Sequence, residues 1–140
     1  MVVDTCVIVA MANKRDDYHT QCVDLMTRYS GSLLLPEPLV TEVGYMLGTR
    51  AGSKAEAGFL RDVADGAYEL KSFKAADFNR VADLVETYAN LKLGTADACV
   101  MALAERENVH DIATVNYREF MIVRPLHVDR FNLLPDIYAS

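Results

Sequence analysis

The sequence has no uninterrupted apolar run of about 18 residues, the length a membrane-crossing helix needs. No basic segment precedes an apolar stretch at the N-terminus, so no signal peptide is expected. Cysteine is sparse: Cys6, Cys22 and Cys99 form no CxxC pair and cannot all pair within the chain. In their apolar surroundings they read as buried thiols of a reducing compartment, not as a disulfide framework. These absences predict a cytoplasmic protein with no membrane contact. Neither GxGxxG nor GxxxxGK[ST] occurs, so nucleotide binding of those kinds has no support. Positive charge is also short, with 14 Lys and Arg against 20 Asp and Glu and a net charge of −6. That argues against a protein that coats nucleic acid non-specifically. A nuclease stays open, because carboxylates that hold cations lower the net charge themselves.

A sizeable core is present. The 140 residues are 51% hydrophobic, enough for one domain over 1–140 that needs no metal or disulfide to hold it. No linker, low-complexity tract or internal repeat divides it. The opening run "VVDTCVIVA" reads as buried core, with Val2 and Val3 leading to Asp4. Tyr18, Cys22, Leu25, Met26 and Tyr29 then fall at helical spacing. "SLLLP" is a short strand stopped by Pro36. Pro38 suits the first turn of a helix whose stripe is Leu39, Val40, Val43, Met46 and Leu47. Ser53 and Glu56 have the spacing of a capping box for a further helix. "AYELKSF" reads as a strand, and Phe78, Val81, Ala82, Val85, Tyr88 and Ala89 as a helical face. "LGTADACVMALAERE" reads as a helix capped by Thr95. "DIATV" is a strand, "REFMI" a short turn or helix and "HVDRFNLL" a last candidate strand. Strands separated by helices predict an α/β fold with a mainly parallel sheet.

Four polar residues stand out against this pattern. Asp4 has apolar neighbours on both sides, where an unpaired ionised carboxylate costs several kcal/mol or more. Glu42 lies roughly 40° around its helix from Met46, on the border of the apolar stripe. Asp97 shares a helical face with Met101 and Ala104. Asn116 follows "IATV", and parallel sheets bind ligands at the carboxyl ends of their strands. Each has an ordinary explanation: a strand end, a boundary residue, an acid complementing a helix dipole, a turn former. Together they form a set that the topology can gather at one edge. Clustered carboxylates need a cation, and oxygen ligands suit Mg²⁺ or Mn²⁺.

The order and context of these residues resemble the PIN-domain family, in particular the VapC-type toxins of bacterial type II toxin–antitoxin systems. "VVDTC" matches the family's opening strand and "DTS". "LVTEVGYML" matches an apolar helix with a central Glu. "TADACVMALAE" matches "DA" in an Ala-rich helix, and "ATVNYREF" matches "ATxDxxxF". The resemblance implies a PIN-like α/β/α sandwich around a mainly parallel sheet. It also implies a metal-dependent endoribonuclease that cuts structured RNA, tRNA or rRNA, leaving a 5′-phosphate and a 3′-hydroxyl. Asp4, Glu42 and Asp97 would be catalytic metal-binding acids, with Asn116 completing the metal site. A VapB-type antitoxin and a homodimer are the implied partners. Lys14, Arg15 and Arg118 follow motif segments and are candidate phosphate contacts.

There are two departures from the pattern. Cys6 stands where the family usually has Ser or another polar residue, and Asn116 stands where it usually has the fourth acid. A neutral amide there favours a one-metal mechanism, or a module that binds RNA or antitoxin without cutting. A dehalogenase-type phosphatase would need a second Asp where Cys6 stands. A phosphoacceptor domain would need paired acids after the first strand.

Overall fold

Val2 and Val3 form β1 and lie at the centre of the sheet in a computed structural model that describes residues 1–137. The five strands run in the order β3-β2-β1-β4-β5, and every pairing is parallel. The others are β2 (Leu34–Pro36), β3 (Glu69–Lys71), β4 (Asp111–Ala113) and β5 (Asn132–Leu134). Val2 pairs with Leu34 on one side and Ile112 on the other, and Val3 with Ala113. Strands buried on both faces need continuous apolar residues rather than alternation. Val2, Val3, Leu34, Leu35, Ile112 and Ala113 meet that need.

The opening apolar run changes structure after Asp4. Thr5–Ala12 forms α1, in which Thr5, Val7, Ile8, Val9 and Ala10 are all buried. A helix covered on most sides has no polar face, so its β-branched run carries no helical periodicity to read. Next come α2 (His19–Arg28), α3 (Leu39–Ala51) and α4 (Ser53–Ala64). Then α5 (Ala75–Thr87), a 3₁₀ turn at Ala89–Leu91, α6 (Thr95–Arg106) and α7 (Tyr117–Ile122). Helices α1 to α4 pack on one another, while α6 packs on α5 and against β1, β2 and β4. Every residue of α6 from Ala98 to Ala104 is buried, and its alanines permit close approach to the sheet.

Two expected caps take a different form. Helix α4 follows Gly52, whose φ of +95° makes the tight turn out of α3, and Ser53 makes no capping bond. Glu56 lies instead along α3, so close that a Cβ on Gly48 would meet its Oε1 at 2.6 Å. Helix α6 is preceded by Gly94, and Thr95 is its first residue rather than its cap.

The sheet order reverses between β1 and β4, one strand sequence leading outward to β3 and the other to β5. That is the topological switch point, where a crevice opens at the carboxyl ends of the strands. Asp4 leaves β1 at this point, and Thr114 to Asn116 leave β4 beside it. The Asp4 backbone N–H donates to the Ala113 carbonyl at 2.9 Å and ties the two exits together.

Candidate active site

A cavity of about 560 Å³ occupies the crevice. It is lined by the beginnings of four helices: Asp4 to Cys6 at α1, Glu42 and Met46 on α3, Gly94 to Asp97 at α6, and Val115 and Asn116 before α7. All four of the polar residues singled out in the sequence therefore reach one cavity. Helix N-termini carry partial positive charge and unpaired N–H groups, which favour anions. Glu42 and Asp97 each lie in the first turn of their helix, and Asp4 caps α1. The macrodipoles thus offset part of the cost of crowding acids together.

Asp4 is the deepest of them, at 3% exposure. Its Oδ1 accepts the Thr5 N–H at 2.8 Å, and its Oδ2 accepts the Thr114 hydroxyl at 2.8 Å and the Cys6 thiol at 3.3 Å. The Thr5 hydroxyl donates in turn to Glu42 Oε2 at 2.8 Å. Thr114 Oγ1 also accepts the Asn116 N–H at 3.0 Å. Two threonines, both within the "DT" and "AT" motifs, thus hold Asp4, Glu42 and Asn116 in one hydrogen-bonded frame.

Cys6 is part of this frame. Its Sγ accepts the Val115 N–H at 3.4 Å while the thiol faces Asp4. Burial, with the Asp4 charge beside it, pushes the thiol pKa far up, so the sulfur stays protonated and unreactive. It fulfils the hydrogen-bonding duty expected of a hydroxyl at that position.

Burial raises the pKa of Asp4 above the usual carboxylate range, against the pull of its hydrogen bonds. Asp97 is pushed up to about 7, first by desolvation and then by the charges of Asp4 and Glu119. Asn116 Nδ2 donates to Asp97 Oδ2 over a long 3.4 Å and only partly counters this. Among the described residues no Lys, Arg or His lines the cavity, and none forms an ion pair with Asp4, Glu42 or Asp97.

Glu119 is the acid that the sequence reading passed over. It sits in the first turn of α7, and its Oε2 is buried without a hydrogen-bond partner. Its charge is close enough to Asp97 to help raise that group's pKa, although it does not line the cavity. A signal was available in "NYREF", where position 119 is one turn on from Asn116 and shares its helical side.

The basic residues are placed differently. Helix α1 carries the chain about 12 Å away from Asp4 before Lys14 and Arg15 are reached. Both are exposed beyond its far end and do not line the cavity. Arg118 is exposed in the first turn of α7, outside the lining.

Carboxylates and an amide offer only oxygen ligands, the donor set of a hard divalent cation. Among the described residues no three acid, His or Cys side chains close around a common point as they stand. It is the oxygen donor set, not a closed coordination shell, that suits a divalent cation here. Asn116 would have to turn its carbonyl oxygen inward to join them, because its NH₂ group now faces Asp97.

Residues 1–121 match the model of the PIN domain family. Ribonuclease VapC26 of Mycobacterium tuberculosis (strain ATCC 25618 / H37Rv) is 31% identical over 135 residues, covering 96% of this chain and 100% of that protein. Among solved structures, M. tuberculosis VapC20, a Sarcin-Ricin loop cleaving toxin, superposes with a TM-score of 0.74. It shares 15% identity and covers 79% of this chain and 85% of that one. VapBC2 from Rickettsia felis, bound to a DNA fragment from their promoter, gives 0.65 at 19% identity, covering 96% of this chain and 98% of that one. At these identities the superpositions establish the fold.

Proposed function

This chain belongs to the PIN domain family and has the fold of the VapC toxins, and on that premise we propose that it is a divalent-metal-dependent endoribonuclease toxin. The observation that carries the reading is the group of acids at the switch point, gathered on helix N-termini with no cationic side chain among them. Asp4, Glu42 and Asp97 are the acids that hold the cation, Mg²⁺ or Mn²⁺, with Asn116 as a neutral neighbour. When bound, the cation polarises the scissile phosphate and lowers the pKa of an attacking water. The Thr5 and Thr114 hydroxyls keep Glu42 and Asp4 aimed at the cavity. One of these carboxylates, Glu42 or Asp97, orients that water or takes its proton. The four helix N-termini favour the phosphate itself.

The substrate we propose is structured RNA, tRNA or rRNA, in keeping with the ribonuclease name of VapC26 and the Sarcin-Ricin loop cleaving named for VapC20. A VapB-type antitoxin is the proposed regulator, in keeping with the VapBC2 complex among the structures this chain resembles. An Arg presented by such a partner would meet the acid group that this chain leaves unpaired. We also propose the homodimer typical of VapC-type toxins.

A second reading has one observation in its favour. Asn116 carries no charge, so the chain would bind RNA or antitoxin without cutting it. The three carboxylates that still line the cavity, Asp4, Glu42 and Asp97, weigh against this. The test is incubation of the purified protein with total tRNA and rRNA in Mn²⁺, with and without chelator. Discrete fragments bearing 5′-phosphates, absent with chelator, are expected. Intact RNA under all conditions would remove the nuclease reading.

A further inference from the structure

The acid-lined cavity does not end at Glu42. It continues into a second depression of about 210 Å³ that shares Glu42, Thr95 and Ala96 with it and reaches Pro38. A third, of about 280 Å³, shares Pro38 and is walled by Glu37, Phe73 and Phe78. The three depressions are neighbours, linked through Glu42, Thr95 and Ala96 and then through Pro38, and the last is lined by a pair of aromatic rings.

Those rings are held as a platform. Phe73 and Phe78 meet edge to face, with centroids 5.6 Å apart at 62°. The Arg106 guanidinium lies over the Phe73 ring at 5.6 Å. Arg106 is itself fixed by Asp77 at 2.8 Å and by the Ser72 carbonyl at 2.9 Å. Asp77 also accepts the Lys74 N–H at 2.8 Å, which locks the first turn of α5. Phe78, on that turn, is nevertheless 48% exposed. A large aromatic ring braced from behind and bare in front is out of place as core packing. Its chemistry fits stacking against another flat π-system.

Resting on the ribonuclease reading above, we infer that this pocket is a subsite for one unstacked RNA base, belonging to a nucleotide that flanks the scissile phosphate. Base-on-aromatic stacking tolerates any sequence, since every base has a π-face. RNA loops offer such splayed bases. Glu37 in the pocket wall disfavours a phosphate there and can accept an N–H from the edge of a stacked base. Lys74 is exposed next to Phe73 and forms no ion pair among the described residues.

The test uses the full chain and RNA stem-loops in which 2-aminopurine replaces one loop base at a time. Binding by the parent should quench the fluorophore at one position. Phe78→Ala should abolish that quench, weaken binding about 5- to 100-fold, and raise KM for cleavage with little change in kcat. Phe78→Trp should restore all three. Phe78→Leu, which keeps apolar bulk without a ring, should behave like Phe78→Ala, and a thermal melt of each variant checks the fold. Equal RNA affinity, quench and KM in parent and Phe78→Leu, in a protein that still cleaves, would overturn the subsite alone. Absence of any RNA binding or cleavage by the parent would overturn both the subsite and the ribonuclease reading. If Phe78→Leu loses affinity for an antitoxin while RNA kinetics are unchanged, the pocket belongs to the protein partner and the base subsite is overturned.

Discussion

Carboxylates occur in two groups in this molecule, and the chain treats them in opposite ways. On the outer side of α5 and α6 three acids each have a cation. Arg80 holds Glu105 through two bonds of 2.7 and 3.0 Å, Arg106 holds Asp77 at 2.8 Å, and Lys71 reaches Glu107 at 2.8 Å. Glu107 consequently has its pKa lowered, first by its bond to Lys71. At the switch point Asp4, Glu42 and Asp97 have hydrogen bonds but no cation, and Asp4 and Asp97 are shifted upward. One protein thus contains both solutions, so the missing cation at the switch point is no general failure to pair acids. The outer pairs hold helices together. The inner group has the form of a site whose counter-charge arrives from outside.

Removing members of the two groups should separate their roles. Asp4→Ala or Asp97→Ala is expected to reduce cleavage at least about a hundredfold, measured as initial rates on one RNA, with the fold kept. Glu105→Ala should leave cleavage unchanged and lower stability by about 1–3 kcal/mol in urea melts, because Arg80 and the Leu126 N–H lose their acceptor. If Glu105→Ala abolished cleavage and Asp97→Ala did not, the division between the groups would fail.

The pH dependence should differ in sign. A carboxyl with a raised folded pKa keeps its proton in the native state while the unfolded chain releases it. Asp97 therefore destabilises the metal-free protein increasingly from about pH 4 to its folded value of about 7, and fully above that. Asp97→Asn should raise metal-free stability by about 1–3 kcal/mol at pH 8, and should give no gain at pH 4. Glu107, with a lowered pKa, stabilises above its unfolded value and loses that contribution as pH falls. Glu107→Gln should thus cost a little at pH 8 and nothing at pH 3. Melts across pH that show the same sign for both variants would break the comparison.

Asn116→Asp sharpens it further. A new charge beside Asp97 should lower stability in chelator by up to about 1 kcal/mol and increase the gain on adding Mn²⁺. Identical melts and identical metal affinity in parent and variant would place residue 116 outside the metal site. The smallest effect is expected at Lys71, where replacement by Met should leave the urea midpoint close to that of the parent, since solvent screens its pairs.

Much of this arrangement was legible in the residues. Short apolar strands between amphipathic helices specified a parallel sheet, and the carboxyl-end rule placed Asp4 and Asn116 at one edge before any coordinates. Glu42 and Asp97 were legible because each broke an apolar helical face. What escaped reading had physical reasons. Thr5 to Ala12 is buried on most sides, so its pattern could not announce a helix, and the distance from Asp4 to Lys14 could not be judged. Glu56 matched a capping box in spacing, yet its side chain found the glycine face of α3 instead. The roles of Thr5, Thr114 and Cys6 depend on contacts between residues 37, 110 and 2 positions apart. Phe73 and Phe78 face one another only once α5 is capped.

The most direct test of the central claim is a calorimetric titration of Mn²⁺ into the parent and into Asp97→Asn at pH 8. The account predicts saturable binding to the parent and at least about tenfold weaker binding to the variant. It also predicts that Glu105→Gln, from the paired group, binds Mn²⁺ like the parent. Equal Mn²⁺ affinity in parent and Asp97→Asn would contradict it.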